Sequence, residues 1–572
     1  MSGFSGEFRP FLRRFGEHSN PCLDIDLILK ILSYVDARDI ARCQQVSRLF
    51  RDIIRDSVLL QYKIECHIAG VVDGPNASSD VADRLSRLRR WRAARETLSW
   101  TDISEKKYTQ FDEDTWFTCK TFGPVFCEHA GTSLTIVRPP SEPRGIRAKE
   151  WRFKLPFEPL AYACDYSQHL LALVEQIDPE RENGWKIHLK SFLTDTAHPS
   201  ASLEDLRAEF RPPGIEYDKS NERYDAPEDE DEVVGSLLSL TCQVFVPEML
   251  EFCSEVWVWN WTTGELLLNF AKVLKDGIDK RSYYPLLDDE HILLPVEHSG
   301  EWHPGPLGLN GVAIVPVHLG CAKRLPYEQV LSSAHYVLAL PPLEPRVFGG
   351  DVRLSFAPVS AADDPWDTDT VFGCDPGCTL LGIVLQTDVF SSFSGGPTPF
   401  TFLVPAAVLT EYTQARVHDG SGPTIVPWTR WGRHAYVTAA REGWYGGAVA
   451  ATWYLQEART RQRTSSMALL DFARRPALLA PTAPLAQRDG KPAPDGGAAT
   501  EIVLEPTLLK GQDRFVVPLV STLPHRRHND VFALKQGTDR VLLGDHYAVV
   551  YKSNIRARGR TPAPSRRTVY SI

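Results

Sequence analysis

The spacing of apolar residues changes once along this chain, near residue 100, and that change limits the possible folds more than any other feature. From Leu23 to about Trp100 apolar side chains recur at helical spacing. Beyond Thr101 short runs rich in Val, Ile, Trp and Phe alternate with clusters of Gly, Pro, Asn and Asp, the pattern of strands joined by turns. The expected class is therefore α+β and multidomain: a small N-terminal unit of three helices and a helical linker, followed by a large all-β domain.

Charge and hydropathy narrow the partners. The chain carries 63 basic and 73 acidic residues, a net charge of −10, so nucleic acid is not an expected partner. No run approaches the roughly 20 apolar residues of a membrane helix, and residues 1–20 lack the apolar core of a signal peptide, so no membrane partner is expected. The eleven cysteines are odd in number and scattered, which fits reduced thiols and a cytoplasmic or nuclear protein. The expected divisions are a disordered N-terminus at 1–20, a helical domain at 21–66, a linker at 67–100, a β domain at 101–553, and an Arg-rich disordered tail at 554–572. Two solvated loops are expected inside the β domain. Residues 218–232 hold eight acids against two bases, and 475–500 are rich in Ala, Pro and Gly.

Within the helical unit, Leu27, Ile28, Ile31, Leu32 and Val35 form one apolar arc, Asp36 is placed to cap a second helix, and Val46, Leu49, Phe50, Ile53 and Ile54 form a third stripe. So small a unit cannot enclose all these side chains alone. Either the rest of the chain or a partner must cover some of them.

The run from Leu23 to Phe50 resembles an F-box, the motif that docks onto the Skp adaptor of cullin–RING ubiquitin ligases. The likeness rests on Asp26, on Leu27, Ile28 and Ile31, on Ser33-Tyr34-Val35-Asp36, on Asp39-Ile40 and Arg42, and on Val46-Ser47-Arg48. It implies an adaptor-binding face made of Leu23, Ile28, Ile31, Leu32, Val35, Ile40, Val46, Phe50 and Ile53. Asp24 and Ala37 stand where the family has prolines, and Phe50 where it often has tryptophan, so looser turns at the helix starts are expected. The segment Val81 to Trp100, with six arginines between Arg84 and Arg95, reads as a linker helix packed through Leu85, Leu88 and Trp91. A nucleic-acid or membrane-surface helix is the competing reading.

In the β region, Glu255 to Phe270 reads as strand, turn, strand and resembles the end of a WD-repeat blade, with Trp259-Asn260 in place of the family's Trp-Asp. Weaker echoes occur at Trp185–Thr196, Gly311–Leu319, Arg353–Pro358 and Tyr547–Lys552. A β-propeller of six to eight blades is expected, with β-sandwiches as the alternative. Phosphate-loop, zinc-helix and nucleophile-elbow motifs do not occur. Cys374 and Cys378, His298 with His303, His525 with His528, Asp363-Asp364 and Asp288-Asp289-Glu290 read as turn and loop residues, so no catalytic residue, metal site or cofactor is expected. The resemblance implies a non-catalytic substrate-recognition subunit of a ubiquitin ligase, which binds the Skp adaptor, reaches a cullin through it, and holds a protein target. An F-box scaffold acting outside ubiquitination and a propeller-type hydrolase are the alternatives.

Overall fold

The computed structural model describes residues 23–571 with breaks, the longest at 210–231, 357–369, 473–499 and 553–565. The expected disordered segment 1–20 lies outside the described residues, as do the acidic loop except Glu232 and the 475–500 loop except Thr500.

Five helices come first: α1 (Ile25–Tyr34), α2 (Ala37–Val46), α3 (Arg48–Asp56), α4 (Val58–Ala69) and α5 (Val81–Thr97). The described residues then form seven sheets of four or five strands arranged as the blades of a propeller. The innermost strands of blades 1 to 6 begin at Phe117, Ala161, Glu232, His291, Val347 and Val449, and that of blade 7 at Arg540. The inner strands of blades 1 and 7 adjoin, which brings the two ends of the domain together.

Burial on both faces explains why many strands lack simple alternation. In Glu251–Asn260 of blade 3, Trp257 and Trp259 pack toward blade 2, while Val256 and Val258 pack toward blade 4. Every interface between neighbouring blades has its own apolar cluster, from blades 1 and 2 around to blades 7 and 1. The hairpin ending that strand turns as its sequence dictates. The Asn260 side chain accepts from the Thr262 and Thr263 amides, and Gly264 takes φ +79°, a region where other residues are strained.

Two crossovers bind neighbouring blades. Leu325–Pro326 leaves blade 4 to pair in parallel with Glu265–Leu274 of blade 3, and α6 (Tyr327–Ser332) then returns the chain to blade 4. After α7 (Ala406–Gln414) of blade 5, Thr424–Val426 pairs in parallel with Tyr336–Ala339 of blade 4, and α8 (Trp428–Trp431) returns the chain to blade 5. Parallel pairing requires such excursions.

The tail expectation is corrected. Arg566–Ser571 is a strand, paired on one side with Tyr547–Lys552 and on the other with Thr101–Lys107, so the last and first strands of the β domain close the ring together. The arginines suggested solvation, but Arg567 is buried against Glu128 of blade 1 at 2.9 Å, and Val569 enters the cluster between blades 7 and 1. The acidic block is corrected at its last residue: Glu232 is buried in the inner strand of blade 3.

Candidate protein-docking face on the helical arm

Each of the first four helices is started by a side-chain cap. Asp24, Asp36, Ser47 and Ser57 accept from the backbone amides of Asp26, Arg38, Phe50 and Leu60. Carboxylate caps on α1 and α2 satisfy amides that would otherwise be orphaned and place negative charge at the positive helix ends, typically worth about 1 kcal/mol each. The absence of prolines at Asp24 and Ala37 therefore leaves both helix starts defined.

The structure divides the nine expected docking residues into two groups. Ile28, Leu32, Ile40 and Ile53 are buried in the arm's own core with Ile54, Leu60, Ile64 and Ile68, and Val35 and Phe50 are half-buried against them. These six hold the helices together, and the four buried ones present no surface to a partner. Leu23, Ile31 and Val46 are exposed, and three residues missing from the expected face join them: Leu27, Tyr34, which is 80% exposed, and Leu59. At about 100° per residue, Leu27, Ile31 and Tyr34 fall on one narrow stripe of α1, about 110° around the helix from the stripe that carries Ile28 and Leu32. Helix α1 is thus apolar on two sides, one used by the core and one left open. Contiguous exposed apolar side chains mark interaction surfaces.

The arm is fixed to the ring through α4 and α5. Leu60, Ile64 and Ile68 of α4 face the arm's core, whereas Tyr62, Cys66 and Ala69 face Leu85, Leu88 and Trp91 of α5 and side chains of blades 6 and 7. A helix buried on two sides transmits position rigidly between them. The short strand Val71–Asp73 adds a second attachment by pairing with Phe372–Cys374, from the connection within blade 5. Arg95 is the polar centre of the joint. Its guanidinium lies between the rings of Trp91 and Trp453, 5.1 and 4.8 Å from their centroids, and donates to Thr452 and, at 2.6 Å, to Asp471 of blade 6.

The other arginines of α5 are also engaged. Arg84 meets Asp73, Arg87 meets Asp83, Arg89 and Arg92 meet Glu65, and Arg90 meets Glu142. Their charge is directed at neighbouring acids, which supports the linker reading over a nucleic-acid or membrane surface. Arg95→Ala would take from Asp471, only 10% exposed, the guanidinium that donates to it at 2.6 Å. The expected cost is about 3 kcal/mol, read as a fall in melting temperature and faster proteolysis of the arm. Arg95→Lys should fall between, because an ammonium cannot fill the slot between two indoles. Wild-type melting of Arg95→Ala would contradict this account of the joint.

Residues considered for chemistry have local roles. Cys378 Sγ donates to Asp375, whose carboxylate also caps the Gly377 amide. Asp288 accepts from the Glu290 amide and lies 2.9 Å from His291 Nδ1. His525 packs on Tyr436 and Phe472. Burial pushes His528 down to about 4, against the opposing pull of Asp471. His298, His303, Asp363 and Asp364 lie outside the described residues. Among the described residues, no three His, Cys, Asp or Glu side chains are grouped to hold a metal ion.

Comparison with protein families matches the F-box domain to residues 21–62. No curated protein matches the chain. Solved structures similar to it include hydrazine synthase of Kuenenia stuttgartiensis, at 10% identity and a TM-score of 0.30, covering 64% of this chain and 79% of that one. The structure of U3-55K is similar at 8% identity and a TM-score of 0.31, covering 82% and 98%. The WD40 domain of SCAP from fission yeast is similar at 7% identity and a TM-score of 0.28, covering 82% and 97%. The seven-bladed assignment rests on the strand pairing of this chain.

Proposed function

We propose that this chain, an F-box domain fixed to a seven-bladed β-propeller, is a substrate-recognition subunit of a cullin–RING ubiquitin ligase. The F-box binds a Skp-type adaptor, and through it a cullin, while the propeller holds a protein target. The observation that carries this reading is the open apolar stripe of α1, Leu27, Ile31 and Tyr34, on a unit whose core is already filled by Ile28, Leu32, Ile40 and Ile53. The second support is the rigid joint. A subunit that forms no covalent bond itself can act by holding its target at a fixed position relative to the transfer machinery, and proximity of that kind lowers barriers substantially. The described cysteines are all free thiols, which fits work in the reducing cytoplasm or nucleus.

The test is co-purification with a Skp-type adaptor and a cullin. Leu27→Asp combined with Ile31→Asp should leave the melting temperature of the full chain within about 2 °C, because both side chains are exposed, and should weaken adaptor binding at least about a hundredfold by placing charges in an apolar interface. Unchanged adaptor binding by the folded variant would reject the docking face. Adaptor binding without cullin recruitment would favour a scaffold acting outside ubiquitination.

A further inference from the structure

The outer strand of blade 1, Lys149–Lys154, ends its sheet and has no further partner strand among the described residues. We propose that this edge is a docking site for an extended acidic segment of a partner protein, taken up as an added strand. The surface lies on the flank of the ring, apart from the F-box face, and the proposal does not depend on the ligase reading.

The backbone geometry comes first. Blade 1 pairs this strand with Ser133–Arg138 in unbroken register, from Ser133 opposite Lys154 to Arg138 opposite Lys149. The Leu155 amide donates to the Thr132 carbonyl at 2.8 Å, which continues the same register. Hydrogen bonding in an antiparallel pair alternates, so Lys149, Trp151 and Phe153 bond inward while Glu150, Arg152 and Lys154 direct their N–H and C=O groups outward. Those three outward residues present a row of backbone donors and acceptors to an added strand.

Most other blades end differently. The outermost strands of blades 3 and 4 are only Leu325–Pro326 and Thr424–Val426, those of blades 5 and 6 are Tyr436–Ala439 and Thr500–Val503, and that of blade 7 shifts register between Asp102 and Ser104. Blade 2 ends in Asp205–Glu209, which carries acids at both ends. Among the described residues, blade 1 alone combines six regular residues with net positive charge: Arg152 pairs with Glu150 at 2.7 Å, and Lys149 and Lys154 remain over on a chain of net charge −10. The edge is also rigid, since Trp151 packs edge-on against Phe192 and Tyr166 at 5.1 and 6.2 Å.

Positive charge on an edge strand repels a second copy of the same edge. An acidic strand meets no such repulsion, so the charge that blocks self-association selects for the proposed partner. Glu142, in the connection that leads to this strand, meets Arg90 of α5 at 3.4 Å.

The experiment uses the full chain and two labelled eight-residue peptides, one alternating glutamate with valine and one alternating lysine with valine, followed by fluorescence anisotropy at low salt. The glutamate peptide should bind and the lysine peptide should not. Arg152→Pro removes one outward N–H and leaves the inner ladder intact, since proline is tolerated where an edge N–H faces solvent. It should weaken binding at least about tenfold with melting unchanged. Arg152→Glu combined with Lys154→Glu should abolish glutamate-peptide binding, and it carries the test if the proline variant fails to fold. Failure of the glutamate peptide to bind would overturn the proposal. So would loss in the charge variant with full binding by a folded Arg152→Pro, which would show charge attraction without strand addition.

Discussion

Deletion of residues 566–572 is expected to abolish cooperative folding of the β domain. These few residues include the strand that pairs on one side with Tyr547–Lys552 and on the other with Thr101–Lys107. Removing it takes Val569 out of the cluster that seals blade 7 against blade 1, and leaves the strand Thr101–Lys107 without its partner. It also takes from buried Glu128 the Arg567 guanidinium at 2.9 Å, leaving it the Tyr551 hydroxyl and the more distant Lys106 at 3.4 Å. Losing one partner of a buried ion pair costs about 3–5 kcal/mol by itself, a large share of the margin by which most domains are stable. The deleted chain should therefore elute as aggregate or be digested rapidly, with no cooperative melt. A milder form of the experiment is Arg567→Met, which keeps the strand and most of the packing volume but takes from Glu128 its nearer cation, leaving Lys106 at 3.4 Å; it should melt several degrees below wild type. A deleted chain that remains monomeric and melts at the wild-type temperature would show that the ring closes without this strand.

The fate of this strand shows where sequence reading reaches its limit. The boundary near residue 100 was legible because a change of period needs no tertiary information. The blade 3 hairpin was legible because Asn260, Thr263 and Gly264 carry their turn locally. The closing strand was not, because the arginines before Thr568 resemble a solvated tail until Glu128, more than 400 positions earlier, is placed beside them. The crossovers at Leu325–Pro326 and Thr424–Val426 are too short to leave a periodic signal, and their pairing is set by the helices that follow. In the arm, apolar spacing does not tell core from surface: Leu27 and Ile28 are neighbours of similar hydropathy, and only the packing of α3 and α4 decides that Ile28 is enclosed and Leu27 is left outside.

Glu232 illustrates the same limit electrostatically and gives the second large expected effect. It closes a block of acids that reads as solvated, yet it begins the inner strand of blade 3 and accepts from the Leu286 amide at 2.8 Å, with Tyr283 as a further partner. Burial pushes its carboxyl up to about 8, more strongly than these two hydrogen bonds hold it down. The folded protein thus keeps this group protonated at pH values where the unfolded chain has released the proton. Its contribution to stability is whole below about pH 4.5, declines as pH rises from there to about 8, and is constant above. The penalty at pH 8 is on the order of 4–5 kcal/mol as an upper bound, since one pKa unit is worth about 1.4 kcal/mol. The buried histidines act in the opposite sense. Desolvation holds His169 and His528 down to about 4 and His546 to about 3, so their neutral forms favour the fold until pH falls below the ordinary histidine range. Only the difference between wild type and variant isolates the carboxyl. In Glu232→Gln the amide oxygen can still accept from Leu286, and no proton is left to lose. The variant should match wild type near pH 4.5 and melt progressively higher than it as pH rises to 8. A difference in melting temperature that stays the same at pH 5 and pH 8 would show that Glu232 keeps one charge state across that range, and that the burial of this strand costs the protein nothing electrostatically.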